Sequence, residues 1–476
     1  MVDFWVYDVA FMILFSVGVA WFLSTRKKDL SREGLMFLYR TQAGIKFINY
    51  VGDTYKKTLS RLRYVIIGVG LVLMASMIWM LGQTLWIYIK FPGITDIIKA
   101  PPIAPLIPYF PKLFGMESFF PPFYFTYFIV ALAIVAVVHE GSHGIFMRRF
   151  KVPIKSTGLV FLGPILGAFV EEEKRGFEKK KTVEQMTILG AGVFANLVFA
   201  MIFYLLYVAF FFSSFAASGY IFTSYAYVST PIDSIDSFGR DIGEREIIIN
   251  GGTTIMNFTE VIVGEETYLM STNNRRLILE GTDFTGQNVL LFPQNPAIKT
   301  GLKGIIVEID DQKIRNHYSL SSFLNTKKPG DLVTIITENE NGRSNYEIVL
   351  AEHPDDSNRA YIGIAHTNPQ RRGFIGKLIS LFMGFKESST YYQPTWDGEL
   401  VEFIFYLLWW VMVINLLVAL FNMMPLGMLD GGRFFYLSVL SVTGSSKFAS
   451  MAFKFATYAI IFVFAFLMFI WAVRVF

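Results

Sequence analysis

Residues 123–147 read FYFTYFIVALAIVAVVHEGSHGIFM, and this stretch decides the fold because it joins a long apolar run to a polar pattern. About 20 apolar residues in a helix cross the hydrocarbon core of a bilayer. The run therefore predicts a membrane-spanning helix. Its last part contains His139, Glu140 and His143, which form the pattern H-E-x-x-H. Ionisable side chains are costly inside a membrane and usually serve a function there.

The H-E-x-x-H pattern predicts a metal site. Residues four apart lie on one face of a helix, so His139 and His143 can reach one ion. Glu140 then lies beside that ion, where it can act as a base toward the water that the ion activates. This is the arrangement of zinc hydrolases. A structural alternative is that these polar residues only join neighbouring helices through hydrogen bonds.

The composition supports a polytopic membrane protein. Of the 476 residues, 53% are hydrophobic and 17% are charged, whereas soluble domains carry roughly 25% charged residues. The same values exclude disordered, collagen-like and disulfide-rich chains. There is no Cys, so a Cys nucleophile and thiolate metal ligands are excluded as well. The net charge of +4 comes from loops beside apolar runs, and no nucleic-acid partner is expected.

Six apolar segments are long enough to span a bilayer, and the charges of their loops predict a topology. The loop between the first two spans is rich in Lys and Arg, whereas the loop at residues 89–122 is poor in them. The positive-inside rule places the first of these loops in the cytoplasm and the N-terminus outside. The protein is thus predicted to be a multi-pass protein of the cell membrane. The predicted spans are residues 6–23, 64–88, 123–147, 186–212, 403–424 and 455–473.

The chain divides into four predicted regions. Residues 1–122 hold the first helices and loops, and residues 123–212 hold the H-E-x-x-H helix, a re-entrant segment and the next span. Residues 213–400 have shorter apolar runs and polar turns, which predict an external soluble insert. Residues 401–476 return to the membrane. The fold class is therefore a polytopic α-helical membrane protein with about six transmembrane helices and an external α+β domain.

A catalytic zinc takes three protein ligands and keeps one position open. The three remaining histidines lie in the predicted external insert, so the third ligand is expected to be a carboxylate. Asp430 is the acid near a span whose predicted depth matches that of His143. It lies in residues 422–433 (NMMPLGMLDGGR), where proline and glycines permit an irregular backbone. The alternative is that Asp430 caps a following helix beside Arg433. The histidines excluded here are His317, His353 and His366.

With both motifs in place, the chain resembles the site-2 protease family of intramembrane zinc metalloproteases. The resemblance covers the third, fourth and fifth spans, and it implies that His139, His143 and Asp430 bind zinc while Glu140 is the general base. The family also has a G-P-x-x-N motif, which reads GVFAN at residues 192–196. The resemblance implies that Asn196 and Asn422 orient the substrate or the oxyanion. Interhelical hydrogen bonds are the alternative role for both.

Two further segments resemble parts found in this family. Residues 156–170 (STGLVFLGPILGAFV) are apolar but too short and too broken to span, and family members have a membrane-entering β-hairpin here. Such a hairpin implies a platform on which an extended substrate adds a strand. Residues 286–366 resemble a PDZ domain, as in NPAIKTGL at 295–302. This PDZ-like domain could bind extended peptide tails or exclude bulky substrates, and a second degenerate copy stays open.

The resemblance predicts hydrolysis of peptide bonds in or near transmembrane segments, toward the cytoplasmic side of the lipid bilayer. The expected partners are transmembrane protein substrates. One alternative is a non-catalytic membrane receptor or chaperone with a structural zinc and an external peptide-binding domain. A metal-ion transporter is a second alternative, but it would require buried acids at more than one depth in the membrane, and the predicted spans have them at essentially one.

Overall fold

The computed structural model describes residues 4–91, 93, 101–103, 106–117, 120–249, 252–280, 287–339, 342–367, 380, 382 and 384–475. The chain divides into two compact units. We call residues 1–211 with 399–476 the helical unit, and residues 212–398 the inserted unit.

The described helices include six that are long and apolar enough to cross a membrane, as the sequence predicted. These six are α1, α3, α5, α7, α11 and α13 in the numbering that follows. The helices are α1 (Phe4–Thr25), α2 (Ile45–Thr54), α3 (Lys56–Lys90), α4 (Phe110–Leu113), α5 (Phe125–Arg149), α6 (Lys174–Glu178), α7 (Thr182–Ser214), α8 (Thr272–Leu279), α9 (Pro296–Thr300), α10 (His317–Leu324), α11 (Gly398–Asn422), α12 (Asp430–Thr443) and α13 (Ser446–Val475).

The described strands form sheets in both units, and every strand pair is antiparallel. The strands are β1 (Leu30–Glu33), β2 (Met36–Thr41), β3 (Ile154–Leu162), β4 (Ile165–Glu172), β5 (Phe215–Tyr220), β6 (Ser224–Tyr225), β7 (Val228–Pro231), β8 (Ser237–Ile249), β9 (Gly252–Val263), β10 (Glu266–Ser271), β11 (Asn288–Pro293), β12 (Ile305–Ile309), β13 (Gln312–Lys313), β14 (Leu332–Asn339), β15 (Gly342–Val349), β16 (Ala351–His353), β17 (Asp356–Tyr361), β18 (Ile364–Ala365) and β19 (Thr390–Pro394).

Helix α5, which carries H-E-x-x-H, lies at the centre of the helical unit. Its N-terminal half packs with α11 in a cluster that includes Phe128, Val135 and Trp410. Its C-terminal end packs with α3 and α7 around Phe146 and Ile188. Both ends of α5 are thus buried, each against different helices.

A four-stranded sheet in the order β1-β2-β3-β4 lies beside this helix. The hairpin of β3 and β4 covers the predicted re-entrant segment, and whether it enters the membrane stays a prediction. Strand β4 is at the edge of the sheet and packs against α5. Strands β1 and β2 come from the basic loop after α1, for which the sequence predicted no strand.

Asp430 lies at the start of a helix of its own, beyond the end of the preceding span. Helix α11 ends at Asn422, and α12 begins with Asp430. The chain between them folds back so tightly that a Cβ on Gly431 would lie 2.3 Å from the carbonyl carbon of Met423. A Cβ on Gly432 would lie 2.1 Å from the carbonyl oxygen of Leu426. Glycine at both positions therefore permits the fold-back.

The inserted unit contains a five-stranded sheet, β7-β11-β10-β9-β8, and a six-stranded sheet with the path β15-β14-β12-β5-β19. Buried residues of both sheets, such as Phe258 and Ile335, belong to one hydrophobic cluster. The chain enters the unit through β5 and leaves through β19, which are paired neighbours. The PDZ-like assignment of residues 286–366 stays a prediction, and Gly286 and residues 340 and 341 lie outside the described residues.

Candidate metal centre

His139 and His143 stand one turn apart on the same face of α5, and both are buried, with 7% and 6% of their surface exposed. Their ring centroids are 4.7 Å apart. The Nε2 atoms lie 3.0 Å and 3.2 Å, respectively, from Oδ2 of Asp430. The spacing of four residues thus directs both imidazoles toward the first residue of α12.

These three side chains form a donor set that suits a divalent metal. Their ligand atoms all lie within 4.8 Å of one another, and among the described residues this is the group of His and acidic side chains that could hold a metal ion. Two imidazole nitrogens and a carboxylate oxygen are ligands that zinc accepts, and three protein ligands leave a fourth position open. The residues therefore fit a catalytic metal site.

The outer nitrogens of both imidazoles are oriented by neighbouring groups of α7. Nδ1 of His143 lies 2.7 Å from the carbonyl oxygen of Ile188, to which only a protonated Nδ1 can donate. Nδ1 of His139 lies 3.0 Å from Nδ2 of Asn196, whose Oδ1 is buried without a partner among the described residues. A half-turn of that amide lets Oδ1 accept from Nδ1–H of His139. Both rings then direct an unprotonated Nε2 to the site, as metal-binding histidines require.

Glu140 follows His139 on α5 and is half-buried. Its Oε2 accepts a hydrogen bond of 3.1 Å from the backbone N–H of Val170 in β4. That N–H points away from β3, out of the edge of the sheet. The carboxylate is therefore held between the helix that carries the histidines and the edge strand.

Gly192 of α7 makes room for the two histidines, which sequence reasoning did not anticipate. A Cβ at this position would lie 2.6 Å from Nε2 of His143 and 2.7 Å from Cε1 of His139. A Cβ atom essentially never lies so close to another side chain, so one of the neighbours would have to shift. The only signal in the sequence was the place of Gly192 at the start of the G-x-x-x-N pattern.

Arg433 joins the start of α12 to the end of the hairpin. Its guanidinium lies 3.5 Å from Glu172 and 4.0 Å from Glu178, and it stacks over the ring of Phe177 at 4.2 Å. Burial raises the pKa of Glu172 above its usual value, and the neighbouring Arg433 offsets part of this rise. Arg433 therefore packs onto β4 and α6, three residues after Asp430.

Glu171 fastens the hairpin to the strand that precedes it. It accepts a hydrogen bond of 3.0 Å from Nε of Arg40 in β2 and one of 2.9 Å from the hydroxyl of Ser156 in β3. These hydrogen bonds lower the pKa of Glu171. One carboxylate thus ties together three neighbouring strands.

The two predicted asparagines lie in different surroundings. Asn196 is fully buried and contacts His139. Asn422 is the last residue of α11, is half-buried, and makes no side-chain hydrogen bond with the described residues. The structure thus brings Asn196, but not Asn422, into contact with a candidate ligand.

Comparisons with known proteins give this arrangement a family. A model described as peptidase family M50 matches residues 127–469, which contain all three candidate ligands. An uncharacterized protein of Methanocaldococcus jannaschii, MJ0971, is 45% identical over 73 residues, which are 15% of this chain and 19% of that protein. The chain thus spans about a fifth of the length of that relative. Because the family model matches more than half of its residues, the chain belongs to peptidase family M50, the site-2 protease family of membrane metallopeptidases.

Proposed function

We propose that this protein is an intramembrane zinc metalloprotease that hydrolyses peptide bonds in or near the transmembrane segments of other membrane proteins. The observation that carries the proposal is the convergence of His139, His143 and Asp430 from α5 and α12. The membership of the chain in a metallopeptidase family supports the proposal further.

His139, His143 and Asp430 would hold the zinc ion. When bound, such an ion supplies a Lewis acid and lowers the pKa of a water toward about 7. The protein orients the ligands through Asn196 and the carbonyl of Ile188. Outer contacts of this kind fix the ring orientation and typically change metal affinity 10-fold to 100-fold when they are removed.

Glu140 would be the general base. It would take the proton from the attacking water and pass it to the leaving amine, a role that carboxylates beside a metal commonly play. The hydrogen bond from the Val170 N–H keeps the carboxylate facing the edge of β4. The base is therefore held where an extended substrate along β4 would present its peptide bond.

Strand β4 would bind the substrate. It is an edge strand, so the backbone groups on its outer side, other than the Val170 N–H that Glu140 accepts from, can pair with an added strand. A substrate helix that unwinds in a membrane exposes backbone groups, and such pairing would satisfy them. Because β4 packs against α5, a strand added there would lie beside Glu140.

The cut is proposed to fall toward the cytoplasmic side. The H-E-x-x-H end of α5 is followed directly by Arg148 and Arg149, and the loop between α1 and α3 is strongly basic. The positive-inside rule places both in the cytoplasm. The same rule places the N-terminus and the inserted unit outside, where a PDZ-like domain could bind extended peptide tails.

The decisive experiment uses the full chain in liposomes with a single-span substrate, and compares the wild type with Glu140→Gln. Glutamine keeps an oxygen that can accept from the Val170 N–H, so the fold and the bound zinc are expected to stay. Cleavage is expected to fall by at least about 100-fold because the base is lost. Asp430→Ala is expected to lose both zinc and cleavage.

Two other outcomes would contradict the proposal. A variant Glu140→Gln that still turns over contradicts the proposed base. A wild type that holds zinc but cleaves none of a panel of single-span substrates favours the receptor or chaperone. Zinc is quantified by elemental mass spectrometry, and cleavage by gel analysis of a substrate tagged at both ends.

A further inference from the structure

Asp8 is a buried carboxylate on α1, a helix whose other residues are exposed or half-buried. It is the one buried residue among the described residues of α1, with 1% of its surface exposed. The same helix exposes large apolar side chains such as Leu14 and Trp21. A buried acid on a spanning helix is costly and is seldom idle.

Asp8 caps the N-terminus of α5, the helix that carries the candidate metal ligands. Its Oδ2 accepts from the backbone N–H of Phe125 at 2.7 Å, and its Oδ1 accepts from the N–H of Thr126 at 2.9 Å. Tyr124, in the capping position of α5 itself, makes no side-chain hydrogen bond that caps the helix. The carboxylate of another helix thus replaces the local cap, and it faces the positive end of the α5 dipole.

Two further hydrogen bonds complete the cluster. The hydroxyl of Thr126 donates to Oδ1 of Asp8 at 2.6 Å, and the hydroxyl of Tyr109 donates to Oδ2 at 2.5 Å. Tyr109 has a φ of +64°, and its backbone N–H donates to the carbonyl oxygen of Phe123. The segment before α5 is therefore pinned to the same carboxylate as the helix.

The hydrogen bonds of Asp8 at the N-terminus of α5 also affect its far end, because a helix rotates and shifts as a nearly rigid rod. His139 is 14 residues beyond Phe125, a distance of about 21 Å at 1.5 Å per residue. A rotation of about 10° at the cap would move a side chain on the surface of the rod by about 1 Å. Distances between a metal and its ligand atoms normally stay within about 0.2 Å of their standard values.

We propose that Asp8 is a positioning residue, which sets the rotation and the axial position of α5 so that His139 and His143 face Asp430. The proposal rests on the function proposed above. It adds a residue that lies outside the family match, which begins at residue 127. Helix α1 would thereby contribute to the metal site without touching it.

The test measures zinc affinity of the full chain in detergent by competition with a chromophoric chelator. Asp8→Ala is expected to weaken zinc binding by about tenfold, the lower range for indirect contacts to a metal site. Asp8→Asn keeps one oxygen for Thr126 and is expected to lie between Ala and the wild type. In cleavage assays kcat is expected to fall, while KM stays within about twofold because β4 is untouched.

Two control variants separate positioning from general loss of stability. Tyr109→Phe removes one hydrogen bond to Asp8 but leaves those to α5, so its zinc affinity should match the wild type. Trp410→Phe removes the bond from the indole N–H to the carbonyl of Pro122 near the same helix end. It should lower the melting temperature without weakening zinc binding.

The proposal is overturned if Asp8→Asn binds zinc as the wild type does. It is also overturned if Trp410→Phe loses as much affinity as the Asp8 variants at an equal loss of melting temperature. Should Asp8→Ala fail to accumulate, Asp8→Asn decides alone. A wild type that binds no zinc would instead refute the proposed function, so the two failures are distinguishable.

Discussion

At the scale of single residues, Gly192 is tightly constrained by the two candidate histidine ligands. Gly192→Ala would drive a methyl group to 2.6 Å from Nε2 of His143, and either the imidazoles or α7 must move. We expect zinc affinity to fall by at least about tenfold, with little loss of helix stability because Ala favours helices by about 1 kcal/mol over Gly. Chelator competition and thermal unfolding measure the two effects.

Gly141→Ala is the matched control for this substitution. Gly141 lies on α5 between the two histidines, but a Cβ there would meet nothing within 4 Å. Zinc affinity should stay unchanged, and the melting temperature should rise slightly. Equal losses of affinity in both variants would show that the two methyl groups act through the helices in general and not through contact with the imidazoles.

Asn196 is expected to act on the metal and not on the substrate. Asn196→Ala removes the amide that orients His139, so we expect zinc affinity to drop about 10-fold to 100-fold. Asn422→Ala provides the comparison, because Asn422 has no hydrogen bond to a candidate ligand. Its zinc affinity should equal that of the wild type, and any effect should fall on cleavage. A reversed order of the two affinities would contradict the assignment.

Much of the site could be predicted from residue types alone. The spacing of His139 and His143 fixes a shared helix face, and the scarcity of acids near the spans singles out Asp430. The contacts of Gly192 and of the Val170 N–H could not be predicted in this way. They depend on how closely α7 and β4 approach α5, and packing distances between elements are not encoded in any local pattern.

At the scale of elements, Arg40 and Glu171 clamp β2, β3 and β4 together. The pKa of Glu171 is lowered in the folded protein, so its stabilising contribution is present above its usual pKa and is lost as pH falls through the lowered value. We expect Glu171→Gln to lose protection of the β3 and β4 amides at neutral pH. The difference from the wild type should shrink in acid, below about pH 4.

Hydrogen exchange, expressed as protection factors to remove the intrinsic effect of pH, measures this clamp. Strand β14 serves as the internal control, because it belongs to the inserted unit and not to the sheet that Glu171 joins. If the difference between the wild type and Glu171→Gln stayed constant from pH 7 to about pH 2, the carboxylate charge would not be the cause.

The elements themselves were predictable to different degrees. The six spans follow from runs of apolar residues, which are long and distinctive. Strands β1 and β2 follow a basic segment; β1 pairs with β2, and β2 pairs with β3, as in Tyr39 opposite Leu159. Such pairing joins residues more than 100 positions apart, so no local pattern in residues 30–41 announces it.

At the scale of the whole molecule, the inserted unit is expected to be separable from the candidate site. All three candidate ligands lie in the helical unit, and the Thr395 N–H donates to the carbonyl oxygen of Ser214 at 2.9 Å. A short Gly-Ser linker can therefore replace residues 216–393. We expect the shortened chain to bind zinc at the same ratio of metal to protein as the full chain.

Elemental mass spectrometry of the purified, monodisperse chain measures that ratio. A shortened chain that also carries Asp430→Ala is the control for adventitious zinc. Loss of zinc from a shortened chain that keeps its helical circular dichroism would show that the inserted unit supports the site. The sequence showed the change in composition near residue 213, but not that the two strands at its border pair with each other.

The pairing of β5 with β19 also restricts how far α7 and α11 can separate, because these helices adjoin the two strands along the chain. Helix α7 runs straight into β5, and β19 leads within a few residues into α11. Within the helical unit, Tyr207 of α7 stacks on Phe405 of α11 with ring centroids 4.3 Å apart. Separating α7 from α11 would break this aromatic stack. If the protein cleaves transmembrane segments as proposed, a substrate helix is therefore expected to enter from the lipid between other helices than these two.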